Sequence, residues 1–316
     1  TPIGIVTGDD VTLTARAEYD DKNAGKNKKI TVTFSLSGKE AKNYTAPDDQ
    51  IIEDGEITQK TLTVEPEYPS SRWWDGTKNV ALTKQNWTTT GGYSSVDNYQ
   101  LDLSEATAEA ENSDAGDQKV IFKNVRLSGP ESANYKLELK PRTISIQKLN
   151  LGSSSVSVSF TYDQDGTVYT GNAVYPQNAT VRVKPDGQDE FTLDNSLWEF
   201  IPDSDLNHIS AGKAWAYISA KSDNTNVYEK HFIEYTIQKA SSSIATLPAE
   251  KSGLTYSGVA QPLVTAGNAD GGTIQYKLDG GAWTNEVPTA VKAGTYKVFY
   301  RIKGDRNHTD SEEREL

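Results

Sequence analysis

The stretch DAGDQKVIFKNVRLSGPESANYKLEL, residues 114–139, decides the fold because the same order of features occurs earlier in the chain. In both places an Ala-Gly pair precedes a strand-like run, a Leu-Ser-Gly turn and an Asn-Tyr pair. The earlier copy reads NAGKNKKITVTFSLSGKEAKNYTA, residues 23–46. Internal similarity of this kind is the signature of a repeat architecture, so the chain is expected to be built from tandem repeats.

Three landmarks continue through the chain at intervals of ~90 residues, which is roughly the length of an immunoglobulin-type sandwich. The Ala-Gly pair occurs at Ala24-Gly25, Ala115-Gly116, Ala211-Gly212 and Ala293-Gly294. An Asn with an aromatic residue one or two positions after it follows each pair, at Asn43, Asn134, Asn226 and Asn307. An aromatic-x-Gly turn comes before the last three, at Trp74–Gly76, Tyr169–Gly171 and Tyr256–Gly258.

Short strand-like segments that end in Lys mark the domain boundaries, at residues 57–60, 144–148 and 235–239. They predict four domains, at residues 1–60, 61–148, 149–239 and 240–316. The first has no aromatic-x-Gly turn and the last has no closing segment, so we expect both to be incomplete and the chain to be a piece of a longer array.

Apolar residues alternate with polar ones along most of the predicted strands, as in Ile30-Thr31-Val32-Thr33-Phe34, and this period of two buries one face of a strand. Residues 103–114 have helical composition, but they align with a strand of the first repeat, so a strand is expected there. Tyr296 stands at the start of a strand, as in the tyrosine corner of immunoglobulin-like domains. The predicted fold is all-β, with tandem Ig-like β-sandwich domains in an extended array. β-grasp-like repeats are the alternative.

Composition excludes several classes of function. The 316 residues include 44 Asp and Glu against 32 Lys and Arg, a net charge of −12, which disfavours contact with the phosphates of nucleic acids. With no Cys, the chain has no disulfide and no thiolate that could act as a nucleophile or as a metal ligand. No apolar run reaches the ~20 residues of a membrane-spanning helix.

With these motifs in hand, the chain resembles the YDG and MBG-type repeats of bacterial cell-surface proteins and adhesins. Residues 1–60 and 61–148 resemble YDG repeats through their Ala-Gly, Leu-Ser-Gly and Asn-Tyr motifs, and Trp74 replaces the Tyr that gives the family its name. Residues 240–316 resemble an MBG-type repeat through Tyr256–Gly258 and Ala293–Tyr296. Residues 149–239 match only the aromatic-x-Gly and Ala-Gly landmarks, so they are treated as a divergent β-sandwich repeat.

The resemblance implies an extracellular location, at the bacterial surface or secreted, and a structural or adhesive role. We therefore expect a monomeric stalk segment that spaces or presents a binding region, with a host or environmental glycan or protein as its partner. The chain is not expected to be an enzyme, because its motifs are turn and core motifs and no nucleophile elbow or phosphate loop occurs. The alternative function is a carbohydrate-binding module that uses exposed tryptophans.

Trp73 and Trp74 are the candidate ligand-binding residues. Neighbouring residues of an extended segment point to opposite faces, so at least one of the two indoles is expected at the surface. Trp215, by contrast, is expected in the core, because it alternates with Tyr217 along a strand. No cofactor is expected, apart from a calcium candidate at Asp163 and Asp165, where Asp-x-Asp-Gly places alternate carboxylates before a turn. That string is also common in hairpin turns.

Overall fold

The computed structural model describes residues 4–316 and is all-β, as predicted. Within these residues the only helical elements are two single 3-10 turns, Ala41–Asn43 and Ser132–Asn134, and each ends at the Asn of an Asn-Tyr pair. No helix in the described chain has the length and apolar character needed to cross a membrane.

The chain divides into two compact units. The first contains the described residues up to Ile146 apart from Trp73–Asp75, and the second contains Trp73–Asp75 with Gln147–Leu316. Each unit therefore holds two of the four predicted repeats, whose individual boundaries stay a prediction.

Fourteen strands belong to the first unit and its boundary. They are β1 (Thr12–Tyr19), β2 (Gly25–Ser37), β3 (Gln50–Ile57), β4 (Lys60–Glu65), β5 (Ser71–Trp73), β6 (Asn79–Val80), β7 (Thr88–Thr90), β8 (Gln100–Asp102), β9 (Thr107–Ala110), β10 (Gly116–Gln118), β11 (Val120–Lys123), β12 (Arg126–Ser128), β13 (Tyr135–Leu139) and β14 (Ile144–Gln147). Their sheets have the orders β1-β2-β3, β10-β14-β5, β11-β9-β6, β12-β8 and β13-β4-β7.

Nineteen strands belong to the second unit. They are β15 (Leu149–Asn150), β16 (Val156–Asp163), β17 (Gln177–Pro185), β18 (Phe191–Leu193), β19 (Trp198–Pro202), β20 (Gly212–Ala220), β21 (Val227–Tyr228), β22 (Lys230–Ile237), β23 (Ala240–Ser241), β24 (Ser243–Thr246), β25 (Ala249–Glu250), β26 (Gln261–Pro262), β27 (Val264–Thr265), β28 (Asn268–Asp270), β29 (Gly272–Leu278), β30 (Thr289–Ala290), β31 (Val298–Gly304), β32 (His308–Thr309) and β33 (Arg314–Glu315). Their sheets have the orders β15-β21, β16-β17-β18, β19-β20-β22, β23-β32, β24-β28, β25-β27, β26-β30 and β29-β31-β33.

A parallel strand pair recurs in the second, third and fourth repeats, while most other pairs are antiparallel. The strand that opens each repeat runs beside the segment that follows its Asn landmark, in the pairs β4·β13, β15·β21 and β23·β32. β15 and β23 begin at the first residue of the predicted third and fourth repeats, and β4 begins at Lys60, one residue before the predicted second repeat. In the second and fourth repeats, this placement brings the Asn landmark beside the linker from the preceding repeat.

The core lies on one face of each alternating strand. In the fourth repeat it contains Ile274, Tyr276, Val298, Tyr300 and Ile302, which alternate along β29 and β31. Each buried aliphatic side chain contributes ~1.5–3 kcal/mol of burial free energy. The first repeat differs, because Gly55 is its only fully buried residue between residues 4 and 60.

Turn positions agree with the repeat alignment. The Gly of each aromatic-x-Gly turn has a positive φ, 78° at Gly76, 88° at Gly171 and 74° at Gly258, which explains why Gly recurs there. Of residues 103–114, Thr107–Ala110 form β9, so the strand prediction is confirmed over those four residues. Tyr296 donates a hydrogen bond to the Lys292 carbonyl at 2.8 Å, the upstream bond of a tyrosine corner, although its ring is 37% exposed.

Candidate functional site: the repeat junctions

An Asn side chain joins the first two repeats. Asn134 Oδ1 accepts a hydrogen bond from the Ala24 amide at 2.8 Å, and Asn134 Nδ2 donates to Asn23 Oδ1 at 3.3 Å. Both Asn134 and Ala24 are half-buried. The Ala-Gly landmark of one repeat and the Asn landmark of the next are therefore two sides of one contact, which we call the Asn clasp.

The linker between these repeats adds to the same junction. Gln59 lies immediately before β4, and its side-chain amide donates to the Ala133 carbonyl at 2.9 Å and to the Tyr135 carbonyl at 3.3 Å. These carbonyls flank Asn134 on either side. The linker amide thus fixes the backbone that carries the clasp residue.

The second unit contains the same contact between the third and fourth repeats. Asn307 Oδ1 accepts a hydrogen bond from the Ala211 amide at 3.0 Å. Lys239, the linker residue before β23, donates to the Asp305 carbonyl at 3.0 Å and to the His308 carbonyl at 3.3 Å. Two junctions with different sequences therefore use the same Asn and Ala positions and a long polar linker side chain.

The Tyr beside the Asn landmark supports the clasp from within its own repeat. The Tyr135 hydroxyl donates to Asp97 Oδ2 at 2.7 Å and accepts from the Tyr93 amide at 3.1 Å. In the first repeat the Tyr44 hydroxyl donates to Asp9 at 2.7 Å and accepts from the Val6 amide at 2.9 Å. The duplicated arrangement shows that the two segments fold alike around their Asn-Tyr pairs.

Within this network the Asp97 carboxylate is charged and the Tyr135 hydroxyl is neutral. The hydrogen bond from Tyr135, followed by the interaction with Lys22 at 3.2 Å, holds the pKa of Asp97 below its usual value. Burial, followed by the nearby Asp97 carboxylate, raises the pKa of Tyr135. At neutral pH the pair is therefore an ionised carboxylate that accepts from a neutral phenol.

We expect Asp97→Asn to change how the stability of the first unit depends on pH. Because the folded-state pKa of Asp97 is lowered, its contribution is complete above the unfolded-state pKa of ~3.9 and is lost as pH falls through the folded-state value. At neutral pH the wild type should therefore have a higher melting temperature than the variant, and this difference should disappear in acid. Calorimetry across the acid range checks this, and a gap that is constant with pH would contradict it.

The structure separates the two candidate tryptophans. Trp74 is 7% exposed and packs edge-on against Phe191, with ring centroids 6.4 Å apart. Trp73 is half-buried, and the Gln188 side-chain amide donates to its backbone carbonyl at 3.2 Å. The ligand-binding role of these residues stays a prediction, and the burial of Trp74 leaves little of its ring for a ligand to contact.

Asp163 is the exposed last residue of β16, and Asp165 lies in the exposed turn that follows it. The Asp163 carboxylate accepts from the Gly166 amide at 2.9 Å, and its backbone carbonyl accepts from the Thr167 hydroxyl at 2.7 Å. No group of three or more His, Asp or Glu side chains in the described part of the chain is arranged to hold a metal. Calcium binding here stays a hypothesis that rests on the sequence pattern.

Sequence reasoning missed an exposed aromatic face in the third repeat. Trp215 was expected in the core, but Ala214, Ala216 and Ile218 of the same strand are the fully buried residues. Trp215 and Tyr217 are half-buried on the opposite face of the sheet. The expectation was wrong because alternation identifies the residues that share a face and does not say which face is covered.

Comparison with known families identifies part of the chain. The sequence model of the YDG domain matches residues 1–51 and 58–144. A comparison with curated proteins gave no match. The matched residues include both Asn-Tyr pairs and the Ala24 and Asn134 sides of the first clasp. The N-terminal part of this chain is therefore of the YDG type.

Proposed function

We propose that the chain is a structural and adhesive stalk segment of a bacterial extracellular surface protein, which spaces or presents a binding region and has no catalytic role. The observation that carries the proposal is the repetition of the Asn clasp. The same amide-to-carbonyl contact joins the first repeat to the second and the third to the fourth. A chain built to separate two points needs such connections between successive domains.

Three further properties support the proposal. The YDG match covers most of the first two repeats. Residues 240–316 resemble an MBG-type repeat, which favours the same structural or adhesive role for the last repeat. The net charge of −12 favours solubility of repeated domains at high local density. The absence of Cys in the chain means that its stability does not depend on the redox state of its surroundings.

Single-molecule pulling on the whole chain between terminal handles tests the proposal. We expect several separate unfolding events, each releasing up to ~30 nm for a repeat of ~90 residues, since extended chain spans at most ~3.3–3.6 Å per residue. A stalk segment must resist load as serial folded units. Extension without resolved events, or collapse of the whole chain in one event, would contradict the proposed role.

A further inference from the structure

The three-stranded sheet β19-β20-β22 of the third repeat has one covered and one open face. The covered face carries the buried Ala214, Ala216, Ile218 and Ile233. The open face carries Ile201, Trp215, Tyr217 and Phe232, and Phe232 is 46% exposed. We call these four residues the aromatic face.

Strand register brings the four side chains together. Ile201 pairs with Tyr217 and Tyr217 pairs with Phe232, so these three lie side by side across the sheet. The Tyr217 and Phe232 rings are 5.4 Å apart between centroids, with their planes inclined by 63°. Trp215 is diagonal to Phe232, a separation of ~7–8 Å that large rings can bridge. Tyr217 and Phe232 therefore form a ring pair, and Trp215 lies on the same face of the sheet.

Polar groups border these rings. The Tyr217 hydroxyl donates to Asp203 at 3.3 Å, and Lys230 Nζ lies 3.8 Å from the centre of the Tyr217 ring. Glu234, directly opposite Trp215, forms an ion pair with Lys213 at 2.9 Å. The hydrogen bond from Lys213 lowers the pKa of Glu234, so its carboxylate is an ionised acceptor at neutral pH. The rim therefore offers donors and acceptors around an apolar centre.

The size of the aromatic face argues against a protein partner or a second copy of the chain. A stable protein interface buries about 800 Å² on each partner, whereas a large aromatic side chain buries only about 150–250 Å² when fully covered. Three of the four residues are already half-buried. The face is therefore the size of a small-ligand site.

The charge of the aromatic face argues against an ionic ligand. Two cations, Lys213 and Lys230, share this face with three carboxylates, those of Asp203, Glu199 and Glu234, so its net charge is only −1. Lys213 is already paired with Glu234. A ligand suited to this surface has a flat apolar side and uncharged hydroxyl groups at its edge, and a pyranose ring has both.

We propose that the aromatic face binds a neutral oligosaccharide. Pyranose C–H faces stack on Trp215 and Phe232, and the sugar hydroxyls hydrogen-bond to Glu234, Lys230 and Asp203. The proposal is independent of the stalk role, because it concerns the surface of one repeat and not the junctions between repeats.

Isothermal titration of the whole chain with soluble neutral hexasaccharides tests this proposal, using cellohexaose, xylohexaose, laminarihexaose, mannohexaose and maltohexaose. We expect at least one to bind in the millimolar range or tighter. Phe232→Ala and Trp215→Ala should each weaken that binding by about tenfold or more, since each removes one stacking ring. The control Tyr256→Ala removes a ring that is 73% exposed on the fourth repeat and should leave binding unchanged.

Thermal unfolding of each variant shows whether it is folded, and Phe232→Ala depends less on packing than Trp215→Ala does because Phe232 is the most exposed of the four residues. The proposal is overturned if none of the neutral hexasaccharides binds, or if both variants bind as the wild type does. Preference for an acidic hexasaccharide such as hexagalacturonate would also overturn it. So would self-association in sedimentation that Phe232→Ala abolishes.

Discussion

Gly129→Ala is expected to lower the unfolding free energy of the first unit by about 3–4 kcal/mol, which for a unit of this size corresponds to a fall of ~6–16 °C in its melting temperature. Gly129 has a φ of 105°, which side chains rarely adopt. A Cβ atom there would lie 2.5 Å from the Asn98 carbonyl oxygen, which is backbone and has no rotamer to change. Calorimetry of the whole chain measures the effect.

Gly116→Ala is the matched control for this substitution. Gly116 lies in the same repeat with a φ of 125°, but a Cβ atom there meets nothing within 4 Å. The control therefore carries backbone strain without the collision and should cost about 1–2 kcal/mol. If the two variants melt together, the close approach of the Leu-Ser-Gly turn to Asn98 does not exist in solution.

Asn134→Ala is expected to destabilise the first unit by about 1–2 kcal/mol, because it leaves the half-buried Ala24 amide without its acceptor. The same substitution frees Asn23 from its contact with Asn134. The loss should appear as a lower melting temperature of the first unit, with the transition of the second unit unchanged.

Asn43→Ala is its matched control. Asn43 occupies the corresponding position in the first repeat, at the end of an equivalent 3-10 turn, but its side chain is exposed. The free energy of unfolding of Asn43→Ala should lie within about 0.5 kcal/mol of the wild-type value, as is usual for surface substitutions. An equal loss in both variants would mean that Asn134 acts within its own turn and not across the junction.

Much of the fold was predictable because the same turn occurs in several repeats. Gly76, Gly171 and Gly258 recur since each needs a positive φ, and a single copy would have carried far less information. Alternation along β2, β16 and β29 predicted strands correctly, because a period of two is a local property of the backbone.

The site was less predictable, since it depends on contacts between distant residues. The recurrence of Asn134 and Ala24 was visible, but not their meeting across 110 positions of sequence. The large ring at Trp215 suggested burial, yet the sheet buries the small Ala214 and Ala216, which fit where packed layers approach closely. When a strand has two apolar faces, the sequence pattern alone does not say which face is buried.

Amide hydrogen exchange at Ala24 and Ala211 tests the central claim, that one kind of clasp joins successive repeats in both units. Both amides should exchange at least ~100-fold more slowly than in an unstructured peptide, because each donates to an Asn side chain of the next repeat. Asn134→Ala should remove the protection at Ala24 alone, and Asn307→Ala at Ala211 alone. Rapid exchange at both amides in the wild type, or protection that survives both substitutions, would contradict the account.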